Sequence, residues 1–292
     1  MNITITGNLG SGKSTVCKEL AKIDYQIIST GTIFREIAKE RGLSVVELNE
    51  EVNREIAAGK HDIDDMIDNR SKKLGEELDN AVFDSRLAWN FVNESFKVFL
   101  TVDINEAATR VFNDNRDTET YTSVQECKKA LLDRQLMEQE RFEKLYGIDY
   151  YNMNNYNLVL ETTNASPEAI AKEILKQFEA YKQQKFKQVM LLNPTSVYPT
   201  GKVEESVTAE MAEAEEYKEI KVGIKNNEWY VLDGQEQLLD AVCKKHTFIY
   251  VTAENCEITA VEMSNITEFE KAGNFQYKKY PVEQEEKNLI HF

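Results

Sequence analysis

The 292-residue sequence predicts an α/β fold, with a five-stranded parallel sheet between two layers of helices and a smaller α+β domain after it. Two observations support this prediction. Short apolar runs alternate with amphipathic helical patterns through residues 1–183, and strands joined by helices lie parallel. After residue 185 the pattern changes to a hairpin, a helix and a single strand. We therefore predict one domain over residues 1–185 and a second over residues 186–292.

The first predicted strand leads into a glycine-rich turn that reads Gly7-Asn8-Leu9-Gly10-Ser11-Gly12-Lys13-Ser14-Thr15. This is the G-x-x-x-x-G-K-[ST] pattern of a P-loop, with a helix following it. Its backbone N–H groups and the positive end of the helix are directed at phosphate oxygens. We predict that Lys13 reaches the β- and γ-phosphates of a triphosphate, Ser14 binds Mg²⁺ and Thr15 contacts the α-phosphate. The alternative is a glycine- and serine-rich turn that matches by chance.

The second strand, residues 25–28, leads into a helix that begins near Thr30 and Gly31. The apolar residues of this helix share one face, and Arg35 lies close to its N-terminus at the edge of the sheet. An anionic ligand at that edge would meet Arg35. Beside a phosphate-binding loop, we favour this interpretation over an arginine on a solvated helix face.

A later helical pattern, residues 62–78, is acidic at its start. Asp64 and Asp68 are four residues apart and share a face, where two like charges reduce stability unless a ligand or cation lies between them. This spacing indicates a substrate-binding role. The alternative, that acidic residues simply favour a helix N-terminus, stays open.

The third strand, residues 81–84, ends on Asp84, and Arg86 follows two residues later. Ligands of open α/β sheets bind at the carboxyl ends of the strands. We therefore predict that Asp84 orients Mg²⁺ or its bound water and that Arg86 contacts a second phosphate. A surface aspartate in a turn is the alternative.

Four further arginines are candidates for contacts with the transferring group. Residues 113–122 are highly polar and suited to a mobile lid, and Arg110 and Arg116 frame its first half. In the long helix that follows, Arg134 and Arg141 are two turns apart and lie on one face, which suits a phosphoryl clamp. Salt bridges with glutamates of the same helix are the alternative. A fifth strand at residues 158–160 and a final helix complete the domain.

Together these segments resemble the archaeal-type cytidylate kinases, which are P-loop nucleoside monophosphate kinases. The resemblance covers residues 1–183 and rests on GNLGSGKST, STGTIFREIAKERG, IDDMIDNR, FDSRLAW, RFEKLYGIDYYN and ETTNASPE. It implies a P-loop NTPase three-layer sandwich with a helical lid, ATP as the donor, Mg²⁺ as the metal and CMP or dCMP as the acceptor. It assigns Lys13, Ser14 and Thr15 to the donor, Arg35 and Arg86 to the acceptor phosphate, Asp84 to Mg²⁺, and Arg110, Arg116, Arg134 and Arg141 to the transferring charge.

Two positions depart from that family. Its members commonly read S-x-G-D before the phosphate-binding helix, whereas this chain has Thr32 in place of the aspartate. Its third strand usually continues E-G-R or D-G, whereas this chain has Asp84-Ser85-Arg86. The acid and the arginine are present, so activity is expected, and whether Thr32 weakens it stays open.

The predicted second domain combines a strand at 186–192, an acidic helix at 204–217, a hairpin at 220–232, a helix at 235–245 and a strand at 247–252. The segment from Asp233 to Leu238 faintly resembles the D-G-x-x-R entry of ParB/sulfiredoxin-like folds. Gln237 stands where that family has its arginine, and the sulfiredoxin cysteine is absent from the sequence. We therefore expect a regulatory or interaction module that binds an unknown protein or ligand.

The resemblance implies small-molecule nucleotides as partners, and composition argues against two other classes of partner. The net charge of −16 argues against general nucleic-acid binding, and no apolar run is long enough to span a membrane. Four scattered cysteines and three histidines indicate neither a disulfide framework nor a zinc site. The chain starts directly at the first strand without a targeting segment, so we expect a cytoplasmic protein.

Three functional hypotheses remain at this point. The first is an ATP-dependent nucleoside monophosphate kinase. The second is a nucleotide-binding sensor with weak catalysis that regulates the C-terminal module, and the third is a kinase of another small metabolite.

Overall fold

A computed structural model describes residues 1–114, 121–185, 188–202, 219–256, 258, 262–281, 288 and 290–292. Arg116 and the acidic segment 204–217 lie outside these described residues. The strands are β1 (Asn2–Gly7), β2 (Gln26–Ser29), β3 (Ala81–Asp84), β4 (Ser95–Thr101), β5 (Leu158–Glu161), β6 (Val189–Leu192), β7 (Val197–Tyr198), β8 (Ile220–Lys225), β9 (Glu228–Asp233) and β10 (Ile249–Ala253). The α-helices are α1 (Lys13–Ala21), α2 (Thr30–Glu40), α3 (Val45–Ala57), α4 (Asp62–Glu77), α5 (Ala88–Phe91), α6 (Ile104–Asn113), α7 (Val124–Tyr146), α8 (Pro167–Lys182), α9 (Gln235–Cys243) and α10 (Met263–Gly273).

The described strands form one sheet in the order β2-β3-β1-β4-β5-β6-β10-β8-β9-β7. The first six are parallel, so the sheet extends beyond the five predicted parallel strands. β10 then runs antiparallel to β6, and the hairpin of β8 and β9 continues the sheet. The division predicted at residue 185 falls between α8 and β6, and the strands on its two sides hydrogen-bond to each other. A domain boundary at that point stays a prediction.

Apolar side chains cover both faces of the parallel strands, which explains why these strands are continuous apolar runs. Phe99, Val159 and Met190 are aligned by the strand register and pack on one face. Leu160 and Leu191, one position further along, pack on the other face with α1 and α8. Successive side chains of a strand point to opposite faces of the sheet, so each of these two rows of side chains packs against one layer of helices.

The C-terminal strands join the first of these two cores. Trp229 and Leu238 belong to the same cluster of buried side chains as Phe99 and Tyr151. The hairpin between β8 and β9 turns at Asn226 and Asn227, whose φ angles are 54° and 60°. Both values fit a tight two-residue turn of the I′ type, so the predicted hairpin is confirmed. None of the described helices is long and apolar enough to cross a membrane.

Candidate active site

The phosphate loop connects β1 to α1 and requires glycine where neighbouring elements come close. At Gly7 the φ angle is 150°, and a Cβ would lie 2.1 Å from the carbonyl oxygen of Leu100 on β4. At Gly10 the φ angle is 77°, and a Cβ would lie 2.8 Å from the Cβ of Ala107 on α6. The loop backbone is therefore packed directly against β4 and α6.

The first turn of α1 carries Lys13, Ser14 and Thr15, as predicted. Lys13 Nζ donates to the carbonyl oxygens of Gly7 (2.9 Å) and Asn8 (3.1 Å), so the ammonium group lies inside the loop. The pKa of Lys13 is lowered to about 7, mainly by burial and also by the nearby Arg86 charge, while Asp84 opposes both effects. A phosphate group at this point would stabilise the buried cation.

Ser11 forms the inner part of the loop and is almost fully buried. Its Oγ has no hydrogen-bond partner among the described residues, and its carbonyl oxygen accepts from Thr162 Oγ1 at 3.1 Å. A buried hydroxyl with no protein partner fits a loop that binds an oxygen-rich ligand such as a triphosphate.

Ser14 and Asp84 meet at the end of β3. Ser14 Oγ donates to Asp84 Oδ2 at 2.9 Å, and Asp84 is held beside the loop because β3 pairs with β1. Hydroxyl and carboxylate oxygens are ligands that Mg²⁺ prefers, and this ion takes its remaining ligands from phosphate and water. The structure therefore brings the two residues together beside the phosphate loop, and their role as Mg²⁺ ligands stays a prediction.

Glu138 of α7 joins two of the predicted arginines. Its Oε2 forms an ion pair with Arg86 Nε, and its Oε1 accepts from Arg134 Nε at 3.2 Å. Arg86 and Arg134 thus share one carboxylate just after β3, and the charges of Arg86 and Glu138 both act on Lys13. In the sequence analysis, a salt bridge between Arg134 and a glutamate of the same helix was the alternative to a phosphoryl clamp. The structure contains the salt bridge, and the glutamate positions both guanidinium groups.

Arg141 lies two turns further along α7 and contacts α4. Its Nη2 donates to Asp64 Oδ2 at 2.5 Å, and Tyr146 Oη donates to Asp68 Oδ2 at 2.8 Å. The pKa of Asp68 is raised to about 6, mainly by burial and also by the charge of Asp64, while the hydrogen bond from Tyr146 opposes both effects. The two carboxylates that share a face of α4 therefore line a cleft with α7.

Arg35, Thr30 and Gly31 lie in the first turns of α2, next to the end of β2. Ser29 pairs with Asp84 in the strand register, so this helix begins at the same edge of the sheet as the Ser14–Asp84 pair. Ser29 Oγ caps the helix by accepting from the backbone N–H of Thr32 at 3.0 Å. Arg35 Nη2 donates to Thr32 Oγ1 at 3.3 Å and remains largely exposed.

Arg110 contacts a different part of the edge. Its Nη2 donates to the carbonyl oxygens of Thr162 (2.9 Å) and Thr163 (3.0 Å), and its Nε donates to Glu106 at 2.9 Å. These contacts hold it against the segment after β5. A role in stabilising the transferring charge stays a prediction for Arg110 and for Arg116.

The sequence did not identify two polar side chains at the cleft as site residues. Glu138 was considered only as a salt-bridge partner of arginines in its own helix, and Tyr146 only as part of the motif RFEKLYGIDYYN. Their contacts join α7 to β3 and α4, which lie more than fifty residues earlier in the chain. Spacing within α7 carries no signal for such contacts.

The model of the cytidylate kinase-like family matches residues 2–164, which is more than half of the chain. The cytidylate kinase of Thermoplasma volcanium is 35% identical over 184 residues, which cover 61% of this chain and 92% of that protein. The cytidylate kinase of Pyrococcus abyssi is 34% identical over 170 residues, covering 58% and 88%. An S-adenosylmethionine-dependent nucleotide dehydratase of Lacinutrix mariniflava is 30% identical over 179 residues, covering 61% of this chain and 36% of that protein.

Solved structures of shikimate kinases are also similar to this chain. The enzyme from Bacteroides thetaiotaomicron is 16% identical, with a TM-score of 0.42, and the match covers 63% of this chain and 98% of that one. The enzyme from Aquifex aeolicus is 20% identical, with a TM-score of 0.41, covering 62% and 98%.

Proposed function

The chain belongs to the cytidylate kinase-like family, and from that membership we propose that it transfers the γ-phosphoryl group of ATP to CMP or dCMP. One observation carries the reaction type: the Ser14–Asp84 pair lies beside the phosphate loop, on the same strand end as the ion pair of Arg86 and Glu138. A triphosphate in the loop would therefore face cations that suit a second phosphate. The relatives named as cytidylate kinases support a nucleoside monophosphate as the acceptor.

The chain's own residues would act by position and charge. Lys13 and the loop N–H groups would bind the β- and γ-phosphates, and Ser14 and Asp84 would hold Mg²⁺. The ion, when bound, neutralises charge between those phosphates. Arg86 and Arg134 would bind the acceptor phosphate and the transferring group, so that the acceptor oxygen is aligned with the γ-phosphorus.

Asp68 and Asp64 are the residues we propose for base selection. Cytosine presents an exocyclic amino group, which donates hydrogen bonds, whereas uracil presents a carbonyl oxygen at the same position. A carboxylate accepts hydrogen bonds and does not donate them, so Asp68 would favour cytosine. Tyr146 and Arg141 hold the two carboxylates in place across the cleft.

A transfer assay with ATP and Mg²⁺ tests this proposal. We expect diphosphate formation from CMP and dCMP at rates well above those from UMP, AMP and GMP. Lys13→Ala should reduce transfer at least about 100-fold, since it removes a cation directed at the developing charge. Lys18→Ala, an exposed lysine on the outer side of the same helix, is the matched control and should retain activity.

The sensor hypothesis remains the second candidate, because the C-terminal strands share one sheet and one core with the kinase-like part. Tight ATP binding without product from any monophosphate would favour it over the enzyme. Unchanged transfer by Lys13→Ala would contradict the kinase assignment itself.

A further inference from the structure

One buried hydrogen bond between two side-chain amides joins the phosphate loop to α7. Asn8 Nδ2 donates to Gln135 Oε1 at 3.1 Å, and the two residues are 6% and 1% exposed. Tyr151 is fully buried and donates its Oη to the same oxygen at 2.8 Å. Gln135 Oε1 therefore accepts two hydrogen bonds, one from the loop and one from the segment between α7 and β5.

The loop side of this contact leads directly to Lys13. The carbonyl oxygen of Asn8 accepts from Lys13 Nζ at 3.1 Å and from the backbone N–H of Ser11 at 3.3 Å. The backbone N–H of Asn8 donates to the carbonyl oxygen of Leu100 at 3.1 Å. The loop and β4 thus hold the main chain of Asn8, while its side chain contacts α7. A shift of α7 relative to Asn8 is therefore also a shift relative to the lysine that we assign to the triphosphate.

The helix side of the contact lies among the residues that we propose for the acceptor phosphate. Arg134 directly precedes Gln135 in α7, and Glu138 follows it by three residues, which makes Glu138 its neighbour on the helix surface. Glu138 accepts from Arg134 Nε at 3.2 Å and forms an ion pair with Arg86. The hydrogen bond of Gln135 thus connects the donor side of the site to the arginine pair.

This hydrogen bond specifies a position more sharply than apolar packing would. Apolar contacts are non-directional, whereas a hydrogen bond requires a short distance and a near-linear angle. Leaving a buried amide without its partner is costly, so α7 is held at one place on the loop. A displacement of about 1 Å can slow an enzyme about 100-fold, because the reacting groups are no longer aligned. A displacement of α7 by this amount would misplace Arg134 relative to the triphosphate.

We propose that Gln135 is a positioning residue for phosphoryl transfer, which fixes the arginine pair of Arg86 and Arg134 relative to the phosphate loop. This inference rests on the proposed function, because the acceptor role of the two arginines comes from there. Gln135 acts through its neighbours and not on the substrates, since Asn8 and Tyr151 occupy its side-chain oxygen and the residue is almost fully buried.

Steady-state kinetics on the full chain test this role. Gln135→Met removes the acceptor oxygen at nearly constant size, so kcat should fall about 10- to 100-fold while the KM for ATP changes by less than about twofold. Gln135→Glu keeps an acceptor oxygen for both donors and should restore most of the kcat. The matched control is Gln139→Met, one turn further along α7, where the amide donates to Asp149 at 3.4 Å. Equal kcat values for Gln135→Met and Gln139→Met would overturn the proposal, and a glutamate variant as slow as the methionine variant would also contradict it.

A double-substitution cycle separates positioning from a general loss of stability. If Gln135 acts by placing Arg134, Gln135→Met should lower kcat/KM for CMP by a smaller factor in an Arg134→Ala background than in the unmodified chain. A loss of stability alone would lower kcat/KM by the same factor in both backgrounds. Equal factors would therefore contradict the positioning role.

A measurement without turnover separates this inference from the proposed function. Calorimetry gives the affinity for ADP, and amide hydrogen exchange of α7 is compared with and without ADP. We expect ADP to slow exchange in residues 128–140 of the unmodified chain and of Gln139→Met, and to leave it unchanged in Gln135→Met, although all three proteins bind ADP. The same effect of ADP on all three would overturn the inference. The expected exchange pattern in a chain that transfers no phosphate would contradict the proposed function and leave the link between the loop and α7 standing.

Discussion

Asp68→Asn is expected to change both the base preference and the pH dependence of stability. The side chain lies in the cleft between α4 and α7, where Tyr146 Oη donates to it at 2.8 Å. Asparagine keeps the size and an acceptor oxygen for the tyrosine, and it replaces the other oxygen by a donor. A hydrogen bond to a charged group contributes about 1.5–3 kcal/mol, so kcat/KM for CMP should fall roughly 10- to 150-fold. The amide can donate to the uracil carbonyl, so activity with UMP should rise.

The stability effect follows from the raised pKa of Asp68. A change from the ordinary value to about 6 corresponds to about 3 kcal/mol in favour of the protonated form. Solvent screening at this partly exposed carboxyl reduces the effect to about 1 kcal/mol. Because the folded-state pKa is above the unfolded one, the ionised carboxyl lowers stability as pH rises through the interval between the two values. Asp68→Asn should therefore raise the free energy of unfolding by about 1 kcal/mol at pH 7.5, and by about half of that at pH 5.

Urea unfolding at the two pH values measures this gain, and initial rates with CMP and UMP measure the preference. Glu76→Gln makes a carboxylate-to-amide change on the exposed side of the same helix and serves as the control. An Asp68→Asn protein with the unmodified CMP-to-UMP ratio would refute the role in base selection. A gain in stability that is equal at pH 5 and pH 7.5 would refute the electrostatic reasoning.

Three further predictions concern the loop, the arginine pair and the junction with the C-terminal strands. Glu138→Gln removes the charge that positions the guanidinium groups of Arg86 and Arg134. The kcat should therefore fall about tenfold or more with little change in ATP affinity. A variant that loses ATP affinity and keeps its kcat would contradict this positioning role. Gly7→Ala places a Cβ 2.1 Å from Leu100 O and should destabilise the fold by about 3 kcal/mol or more, whereas Gly42→Ala, with open space around it, should cost only about 1 kcal/mol in urea unfolding. Lys279→Met leaves Asp103 and Glu228 without the cation that they share. It should lower the free energy of unfolding by about 3 kcal/mol at pH 7 and by less at pH 5. An equal loss at both pH values would indicate that the lysine stabilises the fold by packing.

The parts of the site that the sequence predicted are those fixed by local geometry. The phosphate loop is a contiguous motif, and Asp84 was identified because it ends a strand, so both needed no knowledge of distant partners. Asn226 and Asn227 tolerate positive φ, which made the hairpin between two apolar runs predictable as well.

The parts that the sequence missed depend on pairings between distant segments. The apolar run of β6 was taken as the start of a separate domain, and only its register with β5 identifies it as a sixth parallel strand. Asn8 occupies a variable position of the loop motif, and its contact with Gln135 crosses 127 residues. Neither periodicity nor motif spacing carries this information, because it arises when α7 packs across the loop.

The segment after β5 connects the phosphate loop to the C-terminal strands through a short series of hydrogen bonds. Thr162 Oγ1 donates to the carbonyl oxygen of Ser11 in the loop at 3.1 Å. Two residues later, Asn164 Nδ2 donates to the hydroxyl oxygens of Thr195 and Ser196 at 3.2 Å each. The segment from Thr162 to Asn164 therefore contacts both the phosphate loop and the residues after β6. A ligand changes an equilibrium only by its difference in affinity for two states, so the C-terminal strands would affect ATP binding only if this segment differed between the ATP-bound and ATP-free protein.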